Sequence, residues 1–195
     1  MNDNIHPVDL EKAYRLLNHG PTVLVSARHG EEQDVMAAAW ACALDFSPPR
    51  LSVVLDKSTR TRALIERAGT FVIQVPTAAQ VQLTYEVGNR SLADDPNKLA
   101  QCGVSLLAFE GHDQPFVEGC CAWLACEVIP EPHIQHTYDL FIAQVTGAWA
   151  DRRVFENGHW KFEDADPQLR SIHYVAGGQF YGIGASLVAR HTPKG

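Results

Sequence analysis

Apolar positions recur along this chain in two rhythms. Leu10, Ala13, Tyr14 and Leu17 fall at helical spacing between Asp9, a residue suited to a cap, and Gly20, and predict a first helix over residues 9–18. At Thr22 the rhythm changes. Thr22-Val23-Leu24-Val25-Ser26 predicts a strand, and the polar run from Arg28 to Gln33 reads as a hairpin loop. Residues 34–40, Asp-Val-Met-Ala-Ala-Ala-Trp, give a strand of small side chains closed by an indole. Asp45-Phe46-Ser47-Pro48-Pro49 is a turn whose paired prolines admit no helix, and Leu51-Ser52-Val53-Val54-Leu55 is a further short strand. Strand, hairpin, strand, turn, strand implies antiparallel pairing and excludes a doubly wound parallel sheet.

Good helix formers return over residues 62–69, stopped by Gly69. Residues 77–87 predict a second helix, and Asp94-Asp95-Pro96-Asn97-Lys98 looks like the capped start of a short third. Strands are expected over 104–109, 120–129 and 140–149, and Asn157-Gly158 marks a tight turn before Trp160. Many strands and few helices favour a mainly β fold with peripheral helices, closed as an antiparallel barrel.

Composition narrows this picture. With 195 residues, 46% of them hydrophobic, and no Gly/Ser-rich linker, residues 1–195 read as a single domain. A formal charge of -7 argues against nucleic-acid and anionic-membrane partners, which need a broad basic face. Five cysteines, Cys42, Cys102, Cys120, Cys121 and Cys126, form no paired framework. With no leader or transmembrane run in view, they are expected to be reduced thiols of a cytoplasmic protein, and the apolar run from Cys120 to Cys126 favours buried, strand-borne cysteine over a catalytic or redox thiol.

Candidate chemistry gathers at the two ends of residues 34–61. Lys57-Ser58-Thr59-Arg60-Thr61 places cations and hydroxyls at a helix mouth, where free N–H groups and the helix dipole favour a phosphate. Helix capping is the commoner use of such hydroxyls when taken alone. Arg50, Lys57, Arg60 and Arg62 supply an island of positive charge in an acidic chain. The alanines let backbone N–H groups approach a flat ring, although close packing between sheets is the simpler account of such a run. A metal site is not expected, since His133 and His136 at a loop-to-strand junction and the distant His173 lack Cys-x-x-Cys or His-Glu-x-x-His spacing. No Gly-x-Ser-x-Gly elbow is present, and Gly182-Ile183-Gly184 lacks the strand-turn-helix context of a dinucleotide fingerprint.

Taken together, residues 34–40, Pro48-Pro49 and Asp56-Lys57-Ser58-Thr59-Arg60-Thr61 resemble the flavin reductase-like family, the FMN-binding split barrels that include flavoredoxin. Further likenesses are Phe71-Val72-Ile73-Gln74-Val75-Pro76, Asn97-Lys98-Leu99-Ala100, Leu140-Phe141-Ile142-Ala143-Gln144-Val145 and Gly177-Gly178-Gln179-Phe180-Tyr181, so the resemblance covers nearly the whole chain. Departures are Asp34 for the family Asn, Ala37 for its Thr, and Tyr138-Asp139 where a His is common. The resemblance implies an antiparallel FMN-binding split β-barrel. It implies a cofactor site of Met36, Ala37, Ala38, Ala39, Trp40, Lys57, Ser58, Thr59, Arg60, Thr61, Lys98, His173, Gly178 and Tyr181. From the residues alone, Lys98 is equally a solvated lysine, and the glycine-rich tail a loop closing the barrel. The implied activity is hydride transfer from NAD(P)H to FMN and onward to an acceptor, with no catalytic side chain, in a homodimer. The alternatives are a non-enzymatic FMN electron carrier serving a redox partner protein and, made conceivable by the charge of Asp34, a cofactorless binding protein.

Overall fold

The computed structural model describes residues 4–16 and 21–189. Its main sheet has eight strands: β1 (Ile5–Pro7), β2 (Val23–His29), β3 (Glu32–Ala38), β4 (Ala41–Phe46), β5 (Pro49–Val54), β6 (Thr70–Val75), β9 (Ala122–Ile129) and β10 (Leu140–Asp151). Between β6 and β9 lies a separate hairpin, β7 (Leu106–Phe109) and β8 (His112–Val117). Two more hairpins follow β10: β11 (Phe155–Glu156) with β12 (His159–Trp160), and β13 (Ile172–Ala176) with β14 (Gln179–Gly182). The main sheet is antiparallel throughout, in the order β3-β2-β6-β9-β10-β5-β4 with β1 on the far end of β10. It curls into a split barrel. β3 and β4, its two edges, are consecutive in the chain and are joined by Ala39 and Trp40 alone.

The apolar pattern explains which faces are covered. β2, β6 and β9 are buried almost without interruption, because their inner residues (Val23, Val25, Phe71, Ile73, Leu124) fill the barrel while Leu24, Val72, Trp123 and Ala125 meet the β7–β8 hairpin and a helix outside. Such strands read as continuous apolar runs. β4 and β5 alternate instead: Ala41, Ala43, Leu51 and Val53 pack inward, whereas Cys42, Leu44 and Phe46 face out. A buried polar chain pins β8 to the sheet. Gln74 donates to Ser26 Oγ at 2.8 Å and accepts from the Val117 amide, and Ser26 Oγ donates to the Pro115 carbonyl at 2.5 Å.

Helices lie outside the barrel. α1 (Arg60–Ala68) buries Thr61, Arg62, Leu64 and Ile65 and ends on Gly69, whose φ of 71° is the left-handed conformation expected of a stop. The second predicted helix splits into a 3-10 turn, Ala78–Gln80, opened by a Thr77/Gln80 capping box, and α2 (Val81–Asn89). The short third helix is α3 (Lys98–Gln101).

Several expectations are corrected. The first helix is a 3-10 segment, Leu10–Leu16, and its expected Leu17 and Gly20 lie outside the described residues. The predicted loop from Arg28 to Gln33 shrinks to Gly30 and Glu31, because β2 and β3 pair as far as His29↔Glu32. His133 and His136 lie on α4 (Pro132–Tyr138), started by proline and stopped by Asp139 in the left-handed conformation. The tail expected as a loop is the β13–β14 hairpin, turning on Gly177 and Gly178, both at positive φ.

Candidate functional site

At the split, the chain turns from β3 into β4 and the Trp40 carbonyl accepts from Val54 N at 3.0 Å, which brings the alanine strand beside the start of the 56–61 loop. Above it, α2 lies unusually close: a Cβ on Gly88 would stand 3.1 Å from Ala37 Cβ. The β13–β14 hairpin folds over the other side, and Gly178 is similarly required, since a Cβ there would meet the Tyr85 ring at 3.3 Å on a backbone already at φ +82°. These elements enclose a cleft of about 390 Å³ lined by Ala37, Ala38, Ala39 and Trp40, by Thr84, Tyr85, Gly88 and Asn89 of α2, and by Thr22, Tyr174, Val175 and Phe180. Among the described residues, no charged one lines it. Trp40 is 74% exposed, so its indole is a rim of the cleft and not core.

The 56–61 loop has a different chemistry. Ser58 Oγ donates to Asp56 Oδ1 at 2.6 Å, and Thr59 Oγ1 donates to the Asp56 carbonyl at 2.8 Å. Neither hydroxyl caps α1, whose N-cap residue Thr59 makes no side-chain cap bond, so the first-turn amides lack a side-chain acceptor. The Ser58 hydroxyl, followed by its amide, holds the Asp56 carboxyl below its ordinary range.

The cations of this region each face a carboxylate. Arg60 makes a two-pronged contact with Glu32, 2.5 Å from Nε and 2.6 Å from a terminal nitrogen. Lys57 Nζ lies 3.4 Å from Asp139. Lys98 is turned inward: Nζ lies 2.9 Å from Asp34 Oδ1 with both side chains 2% exposed, and Thr61 Oγ1 donates to Asp34 Oδ2 at 2.7 Å. Thus Asp34 does not point an unpaired charge at the loop. Arg62, expected in the positive island, is buried scaffold instead, donating to the Leu55 and Gln135 carbonyls at 2.9 Å and to Asp139 at 2.5 Å. Arg50 pairs with Asp45 at 3.7 Å on the β4–β5 turn.

Asp139 therefore ties α1, α4 and β10 together. Its carboxyl is held below the usual range, chiefly by the Arg62 hydrogen bond, which outweighs the opposing effect of burial, and then by charge from Lys57. A depressed folded-state pKa means the stabilisation is present above the unfolded value and is lost as pH falls through the folded one. Asp139→Asn should accordingly lower the melting temperature at neutral pH and leave it almost unchanged in strong acid, as read by circular dichroism at both pH values.

The structure thus brings together Ala37, Ala38, Ala39, Trp40 and Gly178 around the cleft, and Lys57, Ser58, Thr59, Arg60 and Thr61 on the neighbouring loop. Met36 instead packs against the barrel core. His173 and Tyr181 face each other across the β13–β14 ladder, while Tyr174, Val175 and Phe180 line the cleft. The α2 residues were missed by sequence reasoning. Their signal was Thr84 and Gly88, small residues four apart on one helix face, which permit close approach to a sheet. Among the described residues, no group of three or more His, Cys, Asp or Glu is placed to hold a metal ion, and no helix is long and apolar enough to cross a membrane.

Comparisons with known proteins bear on the family and the fold. Residues 15–169 match a family described as the flavin reductase like domain. A crystal structure of an FMN-binding domain of a flavin reductases-like enzyme from Shewanella baltica OS155 superimposes with a TM-score of 0.96 at 65% identity, covering 97% of this chain and 100% of that one. The uncharacterised protein YddH of Escherichia coli K12 is 39% identical over 186 residues, 94% of this chain and 97% of the relative. Flavoredoxin of Desulfovibrio vulgaris (Miyazaki F), at 24% identity and a TM-score of 0.73 over 87% of this chain and 90% of that one, shares the fold.

Proposed function

The chain belongs to the flavin reductase like family, and on that premise we propose that it is a single-domain FMN-binding oxidoreductase that accepts hydride from NAD(P)H and passes the electrons to an acceptor. The observation that carries this reading is the pairing of an uncharged cleft, floored by alanines and walled by aromatics, with a hydroxyl- and cation-bearing helix N-terminus beside it. A flat ring ending in a phosphate needs both. Ala37, Ala38, Ala39 and Trp40 would hold the ring. Lys57, Ser58, Thr59, Arg60 and Thr61 would hold the phosphate, and Lys98 supports them from below through Asp34 and Thr61. His173, Gly178 and Tyr181 belong to the hairpin that covers the cleft.

FMN, when bound, supplies hydride and single-electron chemistry by itself. What the chain contributes is placement and exclusion of water, because among the described residues no carboxylate, histidine, lysine or arginine lines the cleft. The protein is further proposed to act as a cytoplasmic homodimer. Its cysteines are free, and the outer face of β4 exposes Leu44 (54%) and Phe46 (63%), an apolar surface suited to a second copy of the chain.

The test is anaerobic. Protein purified natively should carry a yellow chromophore identified chromatographically as FMN, and NADH or NADPH should bleach it within one turnover. Bleaching by dithionite with none by either nicotinamide would assign an electron carrier to a redox partner protein, and a colourless protein that takes up no FMN would remove the function.

A further inference from the structure

Thr84 is 1% exposed, lines the cleft, and its Oγ1 has no hydrogen-bond partner. A threonine within a helix can return its hydroxyl to the carbonyl of the preceding turn, and this one does not. Buried polar atoms without partners are few in native proteins, and each calls for a reason. Two other polar residues of the lining have partners of their own: Thr22 Oγ1 accepts from Tyr174 N at 2.6 Å, and Asn89 Nδ2 donates to the Tyr85 carbonyl at 2.7 Å. One turn beyond Thr84, the tight approach of Gly88 to Ala37 fixes α2 against β3, so Thr84 is held in the cleft wall with its hydroxyl buried.

Among the described residues the lining carries no charge, and this sets the chemistry of the occupant. A phosphate or carboxylate buried here would have no counter-ion. A flat ring stacked among Trp40, Tyr85, Tyr174 and Phe180, with a neutral nitrogen or carbonyl on its edge, would satisfy the hydroxyl and keep the walls apolar.

We propose that Thr84 Oγ1 is the ring-reading group of this cleft, hydrogen-bonding the polar edge of an uncharged planar heterocycle, which on the reading above is the flavin ring. Recognition is then divided. Thr84 senses the ring whatever follows it, and the 56–61 loop senses only the phosphate.

The experiment is a titration of FMN and of riboflavin, which lacks the phosphate, into wild type, Thr84→Val and Thr84→Ser, together with the melting temperature of each flavin-free protein. Thr84→Val should weaken both flavins by about tenfold, the size of one lost hydrogen bond, and Thr84→Ser should restore both. The flavin-free valine variant, relieved of an unpartnered hydroxyl, should melt no lower than wild type. Equal binding by Thr84→Val, a loss confined to FMN, or a fall in its flavin-free melting temperature would each overturn this proposal while leaving FMN binding intact. Wild type that takes up neither flavin would overturn the FMN reading itself, and this proposal with it.

Discussion

Lys98→Met is expected to destabilise the protein by about 3–5 kcal/mol, the usual result of removing one partner of a buried ion pair and leaving the other charge uncompensated. The pair is Lys98 with Asp34, each side chain 2% exposed. Among the described residues Asp34 would keep only the Thr61 hydroxyl as a side-chain donor, too little to replace the solvation it has lost. The loss should exceed that of an ordinary surface substitution several-fold, because this pair joins α3 to β3 and, through Thr61, to the first turn of α1. Asp34→Asn/Lys98→Met should recover most of it: an asparagine oxygen still accepts from Thr61, and no charge remains buried. Urea unfolding followed by the fluorescence of the buried Trp123 measures both variants. A single variant within about 1 kcal/mol of wild type would mean that the pair is not closed in solution.

The second large effect concerns Arg60. Its guanidinium is held by Glu32 through a two-pronged contact, and Glu32 also faces Arg67 at 3.4 Å. On the proposed reading, a phosphate bound at α1 would have to draw Arg60 from that carboxylate. Arg60→Ala should weaken FMN binding by about 10- to 100-fold, the range for losing charge-assisted hydrogen bonds, while riboflavin affinity stays unchanged. Glu32→Gln should act in the opposite sense, tightening FMN because the competitor has lost its charge. The Glu32 carboxyl is held below its ordinary range, first by the Arg60 hydrogen bond. Its contribution to stability is therefore present above the unfolded carboxylate value and disappears as pH falls through the depressed one. Isothermal titration of the two variants with both flavins reads the prediction, and FMN affinity unchanged in Arg60→Ala removes that residue from the phosphate site.

How much of this was legible in the sequence depends on where each signal resides. Strands β2, β5, β9 and β10, helix α1 with its Gly69 stop, and the Asn157-Gly158 turn were readable because local chemistry and long-range packing agree there. β8 was not: His112, Asp113, Gln114 and Pro115 contradict a strand, and what holds them is the buried Ser26–Gln74 chain contributed by two remote strands. α4 was hidden for a similar reason, its seven residues being fastened from outside by Arg62. At the site, residue types were legible but not their direction. Lys98 looked like a free cation until Asp34, 64 positions away, was found against it. The hydroxyls of Ser58 and Thr59 looked like caps, yet both turn back on Asp56. Thr84 gave almost no warning, since a lone threonine in a helix is unremarkable until its hydroxyl proves to be buried and unmatched.

The order of strands, with β3 at one edge and β4 at the other, closes the ring by covalent bonds. Elsewhere around the circumference neighbouring strands are zipped by ladders such as β9 to β10, registered from Ala122↔Ala150 to Ile129↔Ile142. Across the gap stand Ala39 and Trp40 of a single backbone. A hoop fastened by one hinge has its lowest-frequency bending mode at the fastening: the two edges can part or draw together without breaking a rung, while the same displacement anywhere else must unzip a ladder. The slot beside Trp40 is therefore the most compliant place in an otherwise stiff wall, and breathing of the barrel is felt first there.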